Sequence, residues 1–107
     1  MKITINNLAR RKFEEFMDEH ELNVAVHERQ YYTSKGNALK GYHIERYYAV
    51  ADPHCEIKDG PILSSCFGNG ETPETAVEDL KQKMSQKLLV TNAGNVDRKE
   101  FRSPILE

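Results

Sequence analysis

The chain has no tryptophan, two cysteines and no long apolar run. Nothing approaches the ~18 apolar residues of a membrane-crossing helix, so none is expected. Met1-Lys-Ile-Thr-Ile5 is too short for the apolar region of a secretory signal, which points to the cytoplasm. In that setting Cys55 and Cys66 are expected to be reduced thiols. No Cys-x-x-Cys or His-x-x-x-His spacing occurs, so neither a metal nor a cofactor is expected. No Gly-Lys-Ser/Thr follows the glycines, which excludes a P-loop. One-sided charge is missing too. Fifteen basic and 17 acidic residues leave a net charge of -2, unlike a strongly basic nucleic-acid binder.

Catalytic groupings are equally scarce. His54 and Cys55 are adjacent, but neighbouring side chains on an extended chain point opposite ways and would not form a dyad. Cys66, between Ser65 and Phe67, reads as a small core residue. The expectation is a protein that is not an enzyme.

What is present is a mixed pattern of helix and strand in one domain-sized chain. Asn6 or Asn7 is placed to cap a first helix, in which Ala9, Phe13, Phe16 and Met17 make an apolar stripe ending near His20. Leu22, Val24 and Val26 alternate with polar or small residues, predicting a half-buried strand that runs on to Tyr32. A loop over 33–41 leads to a second strand, Tyr42 to Ala51, stopped by Asp52-Pro53. Ile62 to Phe67 reads as a third strand, and Asp59-Gly60 allows a short extra one at Cys55 to Lys58.

The stretch Gly68 to Leu89 reads as a glycine turn and a capped amphipathic helix. Thr72 is the N-cap and Pro73 the first helical residue. Val77, Leu80, Met84 and Leu88 form the buried stripe, with Ala76 and Leu89 beside it, and Asn92-Ala-Gly94 ends the helix. The expected fold is α+β: a two-layer α-β-β-β-α sandwich, its antiparallel three-stranded sheet carrying both helices on one face. Residues 1–91 form the domain and 92–107 a polar C-terminal tail.

Two surfaces stand out. All five tyrosines lie between residues 31 and 48. With Tyr42, Ile44, Tyr48 and Val50 buried, the outer sheet face would carry Ala25, His27, Arg29, Tyr31, His43, Glu45, Tyr47 and Ala49. Tyrosine and arginine are the residue types that anchor protein interfaces. The start of the last helix is acidic, with no basic residue from 59 to 80, which disfavours an anion there. The candidate partner-binding residues are Arg29, Tyr31, Tyr47, Glu74, Glu78 and Asp79. Their expected partner is a protein with a basic surface, or a second copy of the chain. The alternative is single-stranded nucleic acid stacked on the tyrosine-rich face beside Lys35, Lys40, Arg29 and Arg46.

The element order and the Gly-x-Gly-x-Thr entry to the last helix resemble the double-stranded RNA-binding domain. That family grips phosphates with lysines at this helix start. Here the matching positions are Thr72, Pro73, Glu74 and Thr75, so the resemblance implies architecture without that function. Thr72, Glu74, Ala76 and Leu80 are similar to the end of HicB-type antitoxin domains, although that family's proline-rich turn is absent. The chain also resembles small phage or prophage accessory proteins, and type II anti-CRISPR proteins share its element order. These likenesses imply an inhibitor or regulator of a host nucleic-acid-processing protein.

Overall fold

The structure is a computed structural model and describes residues 10–30 and 45–107. Its strands and helices make an α+β fold with a single hydrophobic core. In chain order the elements are β1 (Arg10–Arg11), α1 (Phe13–Glu19), β2 (Asn23–Glu28), β3 (Tyr47–Asp52), β4 (Cys55–Asp59), β5 (Ile62–Ser65), β6 (Phe67–Gly70), α2 (Pro73–Met84), β7 (Leu88–Thr91), β8 (Lys99–Arg102) and β9 (Ile105–Leu106). Among the described residues the strands form three sheets where one was expected. They are the parallel pair β1-β9, the antiparallel sheet β2-β3-β6 and the antiparallel sheet β5-β4-β7-β8.

A bent hairpin links the two larger sheets. Val50 faces Phe67 in its base and Glu56 faces Ser65 in its tip. Between those rungs, residues 51–55 on one arm face only Cys66 on the other. The excess chain, Asp52-Pro53-His54, is pushed out at the bend. Cys55 and Cys66 fill the inside of the bend, both buried, with the Cys66 N–H donating to the Cys55 carbonyl at 3.3 Å. The stretch expected as one third strand is therefore divided at Cys66, each half paired in a different sheet. The hairpin at Asp59-Gly60 forms as the turn residues suggest. Gly60 has φ +59, the sign a tight hairpin needs at its first loop position.

Helix α2 begins where its sequence says. The Thr72 side chain accepts from the Thr75 N–H at 3.2 Å, and the Thr75 hydroxyl accepts from the Thr72 N–H at 3.0 Å. That is a reciprocal cap with Pro73 at the first helical turn. Its end differs from expectation. The helix stops at Met84, and Gln86 turns the chain with φ +59. Leu88 to Thr91, predicted as helix, is instead a strand between β4 and β8. Residues 99–102 and 105–106 are strands as well, so the stretch expected as a polar tail closes the fold. Leu106 N–H donates to the Ser85 hydroxyl at 3.0 Å, and the Gln86 N–H to the Pro104 carbonyl at 3.1 Å. These bonds fasten the chain end to the end of α2.

The first helix is shorter than its apolar stripe suggests. It starts at Phe13 with Lys12 as an N-cap that makes no side-chain bond. Arg10 and Arg11 form β1 against Ile105 and Leu106. The expected caps, Asn6 and Asn7, lie outside the described residues, as do Ala9, the loop over 33–41, Tyr32 and Tyr42. Phe13, Phe16 and Met17 join the common core. Phe16 and His20 lean on Phe101 of β8, at ring separations of 5.9 and 4.0 Å. Thus α1 has its ring contacts at the four-stranded sheet.

Candidate binding surface

The sheet β2-β3-β6 has one face toward α2 and one toward solvent, and glycine decides which is which. Ala49 is opposite Gly68 and Tyr47 opposite Gly70. A β-carbon at Gly68 would run into the Ala76 carbonyl and the Leu80 backbone, and one at Gly70 into Thr75 and the Ala76 amide. Helix α2 therefore lies directly on the backbone of β6. The neighbouring positions under it, Ala49 and Ala51, are small and fully buried for the same reason. Val24 and Val26, opposite Ala51 and Ala49, share this inner face.

This reverses the register expected for the second strand. Tyr48 and Val50 stand on the outer face, whereas Ala49 is buried and Tyr47 packs against the core. A rule that buries the larger apolar residue fails here, because the helix needs room more than the sheet needs bulk. Gly68–Gly70, expected as a turn, is the strand that provides that room.

The outer face carries two rows. Ala25, Val50 and Phe67 form an apolar row across the three strands, with His27, Tyr48 and Asn69 beside it. The His27 and Tyr48 rings stack at 5.0 Å, and the Arg29 guanidinium lies 5.0 Å from the Tyr48 ring centre. Arg29 is held in place. It donates to the carbonyls of Glu45 at 3.0 Å and Tyr47 at 3.3 Å, and to the side-chain oxygen of Asn69. Phe67 remains 38% exposed. No helix of the chain is long and apolar enough to cross a membrane among the described residues.

The five described candidate residues do not converge on one surface. Arg29 is on the outer face, and Tyr47 faces the helix side. Tyr31 lies outside the described residues, as do Lys35, Lys40, His43 and Ile44. Glu74, Glu78 and Asp79 are on α2, across the sheet from Arg29. Glu74 and Glu78 flank a shallow depression with Pro73 and Val77, and Glu78 pairs with Lys81 at 2.7 Å. Asp79 serves the fold. It accepts from the Asn69 N–H at 2.8 Å and from Lys83 at 2.9 Å, while Lys83 also donates to the Phe67 carbonyl at 3.1 Å. Together they close the open edge of β6. Burial pushes the Asp79 carboxyl up, but the Lys83 and Asn69 hydrogen bonds outweigh it and hold it below its ordinary value.

Alternation alone hides Tyr48 and Phe67 as surface residues. The signal that could have found them is the pairing of Ala-x-Ala at 49 and 51 with Gly-x-Gly at 68 and 70, a narrow seat for a helix.

The chemistry-bearing residues elsewhere are dispersed. His54 is exposed while Cys55 is buried, so their adjacency creates no contact pair. Burial pushes the Cys55 thiol up to about 12 and the Cys66 thiol to about 11, far from a thiolate at neutral pH. No three His, Cys, Asp or Glu side chains gather in reach of one metal ion among the described residues. No family model, curated protein or solved structure matches the chain.

Proposed function

We propose that the protein is a non-enzymatic protein-binding module, and that its contact surface is the outer face of the sheet β2-β3-β6. The observation that carries this reading is the Arg29–Tyr48–His27 group. Two flat groups lie against a tyrosine on an open sheet face, and Arg29 is fixed by three acceptors. Side chains fixed before binding lose little freedom on contact, and tyrosine with arginine is the composition of interface anchors. The apolar row Ala25–Val50–Phe67 beside them supplies area to remove from water. The acidic start of α2, Glu74 and Glu78, points to a basic partner or to a second contact on the opposite side. A regulator or inhibitor of a nucleic-acid-processing protein fits that charge.

The nucleic-acid alternative is less well supported by the same geometry. Of its four cations, the two described ones are already engaged. Arg29 is bound to carbonyl and amide oxygens, and Arg46 forms a 2.6 Å ion pair with Glu28. Cations used in this way have fewer donors left for phosphate.

The test is affinity capture by the intact protein, with His27→Ala and Phe67→Ser as variants. Both change the outer face without touching the core. We expect a discrete partner with the wild type and at least a tenfold loss with either variant. Capture indifferent to both variants would refute this surface. Salt-dependent binding to a single-stranded oligonucleotide would move the assignment to the alternative.

A further inference from the structure

The sheet edges are treated unequally. β8 carries Lys99, Glu100 and Arg102, β1 is two arginines, and β2 carries His27 and Glu28. The edge of β6 is closed by Asp79 and Lys83, and β9 gives its Leu106 N–H to Ser85. These are the devices by which proteins keep strands from adding to one another. β5, Ile62-Leu-Ser-Ser65, has none of them. It is uncharged and exposed along its whole length, with Ile62 62% and Leu63 37% exposed.

The register identifies its unused groups. The Cys66 N–H donates to the Cys55 carbonyl, so by alternation Ser64 and Ile62 also turn their backbone groups toward β4. Leu63 and Ser65 then turn their N–H and C=O groups away from the sheet. Among the described residues no hydrogen bond reaches them.

We propose that this edge pairs with the same edge of a second copy, antiparallel about a two-fold axis centred on Ser64. In that register Leu63 lies opposite Ser65 of the second copy, and the outward groups of both residues are matched on both sides. Four backbone hydrogen bonds result, and two four-stranded sheets become one of eight strands. The charges agree with it. Lys58 is opposite Leu63 and Glu56 opposite Ser65 in the β4 ladder. Lys58 of one copy therefore shares a row with Glu56 of the other, and no like charges face across the axis. The contact is short, well below the ~1,000 Å² of a durable interface, so the dimer is a weak and concentration-dependent one. This proposal stands apart from the outer sheet face and fails or holds independently of it.

The experiment is sedimentation of the full chain from about 10 µM to about 1 mM, a range suited to weak association. We expect the weight-average mass to climb toward twice the monomer mass. Ser64→Lys sets two lysines opposite each other at the axis, leaves the β4 bonds in place and should hold the protein monomeric, with unchanged circular dichroism. Ser64→Cys should yield a disulfide-linked dimer under mild oxidation, since facing residues of this non-bonded kind are close enough to bridge. Val96→Cys, on a fully exposed turn, should not match its yield. A wild type that stays monomeric throughout overturns the proposal, whatever other strand the edge accepts. So does a dimer that Ser64→Lys leaves intact, or equal cross-linking through Val96→Cys.

Discussion

Replacing Gly68 by alanine should damage this protein more than its size suggests. The added β-carbon would stand 2.8 Å from the Leu80 Cα and closer still to the Ala76 carbonyl and Leu80 amide. All three are backbone atoms, so no rotamer change relieves the clash. Ordinary contact begins near 3.4 Å, so α2 must lift by more than the roughly 0.6 Å that the Leu80 Cα alone would require, because the two closer atoms set the limit. Lifting it loosens Leu80 and Met84, two of the largest fully buried side chains. Overpacking of this kind costs about 1–3 kcal/mol. Alanine stiffens the unfolded chain and returns about 0.4–1 kcal/mol. At the middle of both ranges the net loss is about 1.3 kcal/mol, or roughly 5–10 °C in melting temperature. Without tryptophan the assay is far-UV circular dichroism in a urea titration. The control is Gly60→Ala, where a β-carbon meets nothing within 4 Å and only φ +59 is strained. It should lose about 1–2 kcal/mol with an unchanged slope. A Gly68→Ala midpoint equal to the wild type would refute the close seating of α2 on β6, and with it the assignment of Tyr48 to the outer face.

Other outcomes follow from named groups. Cys55 and Cys66 should resist a thiol reagent in the folded protein at pH 8 and give two equivalents after unfolding; rapid native labelling would contradict their burial. Both thiols are raised from 9.0, to about 12 and about 11, so the unfolded chain ionises first. Stability should therefore fall as pH climbs from about 9 toward 11–12, and a Cys55→Ala/Cys66→Ala double variant should flatten that slope. Asp79→Ala opens the edge of β6 and leaves Lys83 without its carboxylate, for a loss of about 1–2 kcal/mol by urea titration. Because the Asp79 carboxyl is held below 3.8, its contribution is present above that pH and fades as pH falls through the lowered value; an Asp79→Asn variant should be less sensitive to acid there. Burial beside Phe16 and Phe101 lowers the His20 pKa from 6.5, against the raising effect of Glu19. Stability should then decline as pH drops below 6.5, and His20→Phe should remove that decline.

Local chemistry was legible wherever it was self-contained. Thr72 and Pro73 declare the start of α2, Asp59-Gly60 declares a hairpin, and Asp52-Pro53 declares the end of β3, all because a few adjacent atoms decide them. The end of α2 was not legible. Leu80, Met84 and Leu88 keep helical spacing, yet Leu88 to Thr91 pairs with β4 and β8, partners remote in the chain. Arg10-Arg11 failed for the same reason, since its partner is Ile105-Leu106. At the candidate surface, Arg29 was placed correctly and Tyr47 was not, because the face of β3 depends on how closely a helix lies over it.

Taken alone, the amino-acid order determined the α+β character, the Thr72 cap, the Asp59-Gly60 turn, the three core residues at Phe13, Phe16 and Met17, and the apolar face of β2. These rest on spacing, steric preference and hydrogen bonds within a turn or two. Only the tertiary structure decided how the strands are shared among sheets, that residues 92–107 belong to the fold, and which tyrosine meets solvent. Those outcomes depend on distant backbone groups finding partners, and on glycines at 68 and 70 letting a helix rest where a side chain would hold it away.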